Sequence, residues 1–172
     1  MKKLITLFAC AIALTVSAFA ADTNSTSLFN AGELGLSLGT GYTVDRAAAF
    51  QEPYAVNLQA GAFWFPWRNF GIEADVPFFS TKGVSVQEVQ AGLVARLPLS
   101  KTTPVLKNLA PYVGIGGVYN WQTDQDWAYV GKVGIEARLN KKWGVFAEGQ
   151  YRDKDFQLDG QTSLVGGLRF VF

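Results

Sequence analysis

The stretch YVGKVGIEARLNKKWGVFAEGQYR, residues 129–152, consists of two strictly alternating runs about a short polar turn. Tyr129, Gly131, Val133, Ile135, Ala137 and Leu139 share one side of an extended chain, opposite Lys132, Gly134, Glu136 and Arg138. After Asn140, Lys141 and Lys142 the pattern resumes, with Val145, Ala147, Gly149 and Tyr151 opposite Glu148, Gln150 and Arg152. Side chains on a strand point alternately to its two faces, so this period predicts an antiparallel hairpin with one apolar and one charged face.

The same period organises the chain on both sides. Leu34, Leu36, Leu38, Thr40, Tyr42 and Val44 oppose Glu33 and a set of Gly and Ser residues. Further apolar rows run from Tyr54 to Trp64, from Phe70 to Phe78, from Val89 to Leu99, from Val113 to Trp121 and from Thr162 to Phe172. Val84 and Val86 are out of phase with the row that follows them, which predicts a bulge or a late strand start near Gln87. With turn signals at residues 66–69, 80–83 and 140–142 and in Asp-rich stretches near Asp124 and at 153–160, the count is eight strands.

Charge decides what each face meets. Glu33, Glu73, Asp75, Glu88, Arg96, Lys132, Glu136, Arg138, Glu148, Arg152 and Arg169 all fall opposite the apolar face. A soluble sandwich or barrel would bury the apolar face, whereas a membrane barrel turns it to lipid and packs the polar face inside. The near balance of six acids against five bases, on a face rich in glycine, suits a narrow lumen filled by ion pairs. Trp64, Trp67 and Trp143 fall at one end of the segments and Trp121 and Trp127 at the other, as two interfacial girdles require. An Arg on the lipid face near the midplane costs about 2 to 4 kcal/mol, so the register is strongly specified. The predicted fold is therefore all-β, an eight-stranded antiparallel up-and-down transmembrane β-barrel.

Met1, Lys2 and Lys3, an apolar run and a small-residue ending at Ala20 form a secretory signal, predicted to be cleaved after Ala20. Residues 21–31 read as a polar lead and 32–172 as the barrel. Cys10, the one cysteine, leaves with the signal.

Composition narrows the chemistry. Only 17% of the 172 residues are charged, below the usual share of about 25%. With no His, the usual general base near neutral pH and the commonest transition-metal ligand are missing. One Cys makes neither an internal disulfide nor a thiolate zinc site, and a net charge of +1 makes no electrostatic case for nucleic acid. No catalytic residue, metal or cofactor is expected.

Three further motifs carry a resemblance. Residues 110–119, APYVGIGGVY, are similar to a Pro-Tyr-x-Gly-x-Gly strand opening, and residues 133–143 to a Gly-x-Glu-x-Arg hairpin with a basic turn. Residues 164–172 alternate and end on Phe170 and Phe172. Together they resemble the small eight-stranded outer-membrane barrels of Gram-negative bacteria, of the OmpA/OmpX type. The resemblance implies an outer-membrane location among lipid and lipopolysaccharide, and a C-terminal strand read by the barrel assembly machinery through Phe170 and Phe172. It implies no catalytic residue. The chain departs from the family in a long connection at 100–110, on what should be the inner side, and in short outward loops. Because the sequence finishes at the barrel, the peptidoglycan-binding domain of some relatives is not expected.

Three functions follow. The leading one is a non-enzymatic envelope protein, structural or surface-interacting, whose lumen is filled by side chains and forms no wide pore. An outer-membrane enzyme would have to work with carboxylates alone, Glu73, Asp75 or Glu148. A soluble lipocalin-like carrier would turn Leu36, Leu58, Leu93, Ile135 and Leu168 inward instead.

Overall fold

The alternating rows become strands that hydrogen-bond into a closed ring. A computed structural model describes residues 28–45, 54–80, 84–86, 88–99, 106–121, 126–153 and 160–172; the expected signal at 1–20 lies outside them. The strands are β1 (Glu33–Asp45), β2 (Tyr54–Trp67), β3 (Phe70–Ser80), β4 (Val84–Val86), β5 (Glu88–Arg96), β6 (Leu109–Asn120), β7 (Asp126–Arg138), β8 (Trp143–Asp153) and β9 (Gln161–Val171). Every pairing is antiparallel, and β1 pairs with both β2 and β9 to close the barrel. Three-residue β4 adds to β3 beside β5, so eight positions make the ring. Along β3 three steps from Asp75 to Phe78 face four from Gln90 to Val86. That one-residue excess is the bulge expected near Gln87, which itself lies outside the described residues.

Register sets the barrel's dimensions. Crossing paired residues from Gly35 through Phe63, Glu73, Gly92, Gly116, Val130, Arg152 and Gln161 leads back to β1 at Asp45, ten residues beyond the start. With eight strands, that stagger gives a tilt of about 40° and a backbone radius of about 8 Å. Ten is even, so an inward row closes on an inward row and the two faces stay separate all round the ring. A cylinder this narrow is filled by the side chains it encloses.

Burial is inverted relative to a water-soluble domain. Leu164, Val133 and Leu38 are 67%, 63% and 61% exposed, while Arg96 is 1% and Glu136 and Arg169 are 0% exposed. Leu34, Leu36, Ile72, Leu93, Ile115, Ile135 and Leu168 extend the exposed apolar surface over the ring. A belt of this extent far exceeds the few hundred Å² of apolar patch that soluble monomers tolerate. The inward apolar residues Phe63, Phe65, Val94, Tyr112 and Val171 pack in one cluster toward the end where β1 begins and β9 finishes, termed here the proximal end.

Candidate functional site: the charged lumen

The lumen is the place where the sequence concentrates its chemistry. All eleven charged side chains singled out from the sequence face into it. Ten of them, Glu33, Glu73, Asp75, Glu88, Arg96, Lys132, Glu136, Arg138, Glu148 and Arg169, are buried, and Arg152 is half-buried.

Eight of them form one unbroken chain of alternating sign. Arg96 Nη1 donates to Glu33 Oε2 at 2.7 Å, and Arg138 Nη2 donates to the same oxygen at 2.9 Å. Arg138 Nε donates to Glu136 Oε1, whose other oxygen takes Arg169 Nη1 at 2.8 Å. Arg169 Nη2 reaches both oxygens of Glu73, at 3.2 and 3.1 Å. Lys132 Nζ lies 3.8 Å from Glu73 Oε1 and donates to Asp75 Oδ2. Four cations thus face four carboxylates, so the column of charge is internally neutral. Neutrality matters because an unpaired charge buried this deeply costs several kcal/mol.

The remaining three stand apart. Arg152 Nη2 lies 2.6 Å from Glu88 Oε1, toward the opposite, distal end. Glu148 is held by neutral donors: the Tyr112 hydroxyl at 2.6 Å, Gln150 Nε2 at 2.6 Å and Gln59 Nε2 at 3.2 Å. The Tyr112 ring reaches it by lying over Gly134, where an added Cβ would come within 2.5 Å of Tyr112 Cζ. Glycine on this face makes room for long inward side chains, here an aromatic one.

Apolar rings pack against the guanidinium groups. Arg169 sits 4.9 to 5.2 Å from the centroids of Tyr112, Phe146 and Phe63. Arg96 lies 3.8 Å from the Phe65 ring and 5.1 Å from Phe29, and Arg138 is 5.0 Å from Phe29. Phe29, in the stretch read as a polar lead, is 1% exposed and closes the proximal mouth. Its neighbours hold it there. Asn30 O accepts from Arg96 Nη2 at 3.0 Å, Asn30 N donates to Glu33 Oε1 at 2.5 Å, and Gly32, at φ +78°, donates its N–H to Phe65 O at 2.8 Å. Sequence reasoning missed Phe29 because an isolated Phe outside a periodic segment carries no pattern. The inward rings of Phe63, Phe65 and Phe146 were also missed, although their even spacing from polar inward positions, Gln59 on β2 and Glu148 on β8, was the available signal.

The five tryptophans lie on the outside. Trp64, Trp67 and Trp143 are exposed at the proximal end, and Trp121 and Trp127 at the distal end. Trp143 meets Phe170 edge to face at 4.8 Å and Phe170 meets Phe172 in the same way at 5.3 Å, while Trp127 packs on Tyr119 at 4.8 Å.

Residues 6–172 match the family described as outer membrane protein beta-barrel domain. The chain belongs to that family. Among solved structures, this barrel is similar to a designed transmembrane β-barrel (17% identity, 83% of this chain and 98% of the other, TM-score 0.57). It is also similar to the N-terminal β-barrel domain of OprF from Pseudomonas aeruginosa (13% identity, 82% and 99%, TM-score 0.57). Neisserial surface protein A follows at 9% identity, 81% and 96% coverage and a TM-score of 0.56. Identities this low carry the fold alone. None of the functionally curated proteins matches the chain at the level of sequence. For an outer-membrane barrel the inverted burial has a direct cause: lipid covers the apolar face, and the charges turn inward to one another and to the polar groups of the lumen.

Proposed function

We propose that the protein is a non-enzymatic integral outer-membrane barrel, exported by its cleaved signal, with a structural or surface-interaction role in the envelope and no wide pore. The observation that carries this proposal is the unbroken chain from Arg96 to Asp75. Its eight side chains run through a cylinder of about 8 Å backbone radius and pair in turn, each with a neighbour of opposite charge. Groups so engaged brace a wall; they are not poised to move protons or to admit a wide column of water. Outer-membrane lipid and lipopolysaccharide surround the barrel, and the assembly machinery reads its last strand at Phe170 and Phe172.

The test combines fractionation with conductance. The protein should stay with outer membranes through an alkaline wash and migrate faster on a detergent gel before boiling than after. In planar bilayers it should give no large, steady conductance. Release by the wash, an unchanged gel position on heating, or a steady wide-pore current would each defeat the proposal.

A further inference from the structure

Charge outside the lumen is divided between the two ends. The proximal connections, residues 67–70, 97–109 and 139–142, contain Arg68, Lys101, Lys107, Lys141 and Lys142 and no acid. The distal connections with their flanking strand ends contain seven acids against three cations. Among the described residues Lys107, Lys141 and Lys142 are exposed, and no exposed Asp or Glu side chain lies at the proximal end.

Two of these lysines are held in place. The β7–β8 turn is tied by Asn140, whose Oδ1 accepts from Lys142 N at 2.8 Å and Trp143 N at 2.9 Å, and by Lys142 O, which accepts from Val171 N at 2.7 Å. The next residue toward the apolar belt is Trp143, edge to face with Phe170, which in turn meets exposed Phe172. Interfacial tryptophans sit at headgroup depth, so lysines one step beyond them stand level with lipid phosphates. Lys107 comes from a separate connection, as the middle residue of the short 3-10 turn Leu106–Asn108. Both turns bring cations to the same end of the barrel.

We infer that the proximal rim is a docking surface for anionic phospholipid, with Lys107, Lys141 and Lys142 on the headgroup phosphates and Trp143 and Phe172 against the glycerol and upper acyl carbons. The proposal rests on the membrane assignment above and adds to it the leaflet chemistry that the proximal end selects. A lysine near an anionic surface is worth roughly a fivefold bias in occupancy. Three of them, with no Asp or Glu side chain opposing them, should therefore enrich phosphatidylglycerol over a zwitterionic lipid.

The test uses the full chain in nanodiscs of equal parts phosphatidylglycerol and phosphatidylcholine with matched acyl chains. After partial delipidation in a neutral detergent, the retained lipids are counted by mass spectrometry. The wild type should keep phosphatidylglycerol about fivefold or more over phosphatidylcholine. Lys107→Gln, Lys141→Gln and Lys142→Gln combined should abolish the preference, and the corresponding triple Arg variant should keep it. Added inorganic phosphate should leave it intact. Equal retention by the wild type, a preference that survives in the Gln variant, or displacement by free phosphate would overturn the inference while leaving the barrel in the membrane. Failure to enter the nanodisc at all would overturn the membrane assignment and this inference together.

Discussion

Arg169 on β9 donates to Glu136 on β7 across 2.8 Å, and β8 lies between those two strands. The pair therefore braces the lumen and not a neighbouring ladder. Arg169→Ala removes that bond and the two to Glu73, leaving two buried carboxylates short of a partner. Breaking a buried pair from one side costs about 3 to 5 kcal/mol. Urea unfolding in lipid vesicles should show a loss of that size, and a smaller one for Arg152→Ala, whose pair with Glu88 stands partly open to water at the distal end.

Glu148 has neutral donors in place of a cation. Tyr112→Phe deletes its 2.6 Å hydroxyl bond while keeping the ring over Gly134. A lost hydrogen bond to a charged group is worth about 1.5 to 3 kcal/mol, so the same unfolding assay should register a loss in that range. Gly134→Val should cost more, because the added carbons displace the Tyr112 ring itself.

At the proximal mouth, Phe29 lies against Arg96 and Arg138. Phe29→Ala should cost about 3 kcal/mol and expose the residues just before β1 to protease, read as faster cleavage of the folded protein near residue 29. Phe29→Leu, which keeps the apolar volume, should restore most of the protection.

On the outer face, Val133→Arg should cost about 2 to 4 kcal/mol in lipid if the position lies near the midplane. The same substitution at an exposed site of a water-soluble protein would be within about 0.5 kcal/mol of neutral. Unfolding in vesicles measures the difference directly.

How much could be read before the fold was known follows from where the signal lies. Face assignment is local: Lys132, Glu136 and Arg138 declare the inward side of β7 by spacing alone, and the other eight charged positions read from the sequence followed the same rule. Partner choice is not local. Arg138 meets Glu33, 105 positions away, because a stagger of ten residues tilts the strands and brings the start of β1 beneath the end of β7. Spacing within a segment holds no information about that tilt. Phe29 belongs to the same class, since only the finished mouth with Arg96 and Arg138 gives it a place. Phe63, Phe65 and Phe146 were hidden for another reason: an apolar residue on a polar face breaks the binary pattern, although it packs well against a guanidinium.

Whether β7 turns its apolar row to lipid can be read by a cysteine scan along that strand in a chain whose Cys10 has been replaced. Spin labels would be placed in turn at positions 133 to 137 of the vesicle-embedded protein, and their collision rates with lipid-dissolved oxygen and with a water-soluble nickel chelate compared. Oxygen accessibility should peak at 133, 135 and 137 and fall at 134 and 136, with the chelate excluded throughout. Chelate access at 133, 135 and 137, or no alternation with period two, would contradict a barrel that turns Val133 and Ile135 to lipid and Glu136 inward.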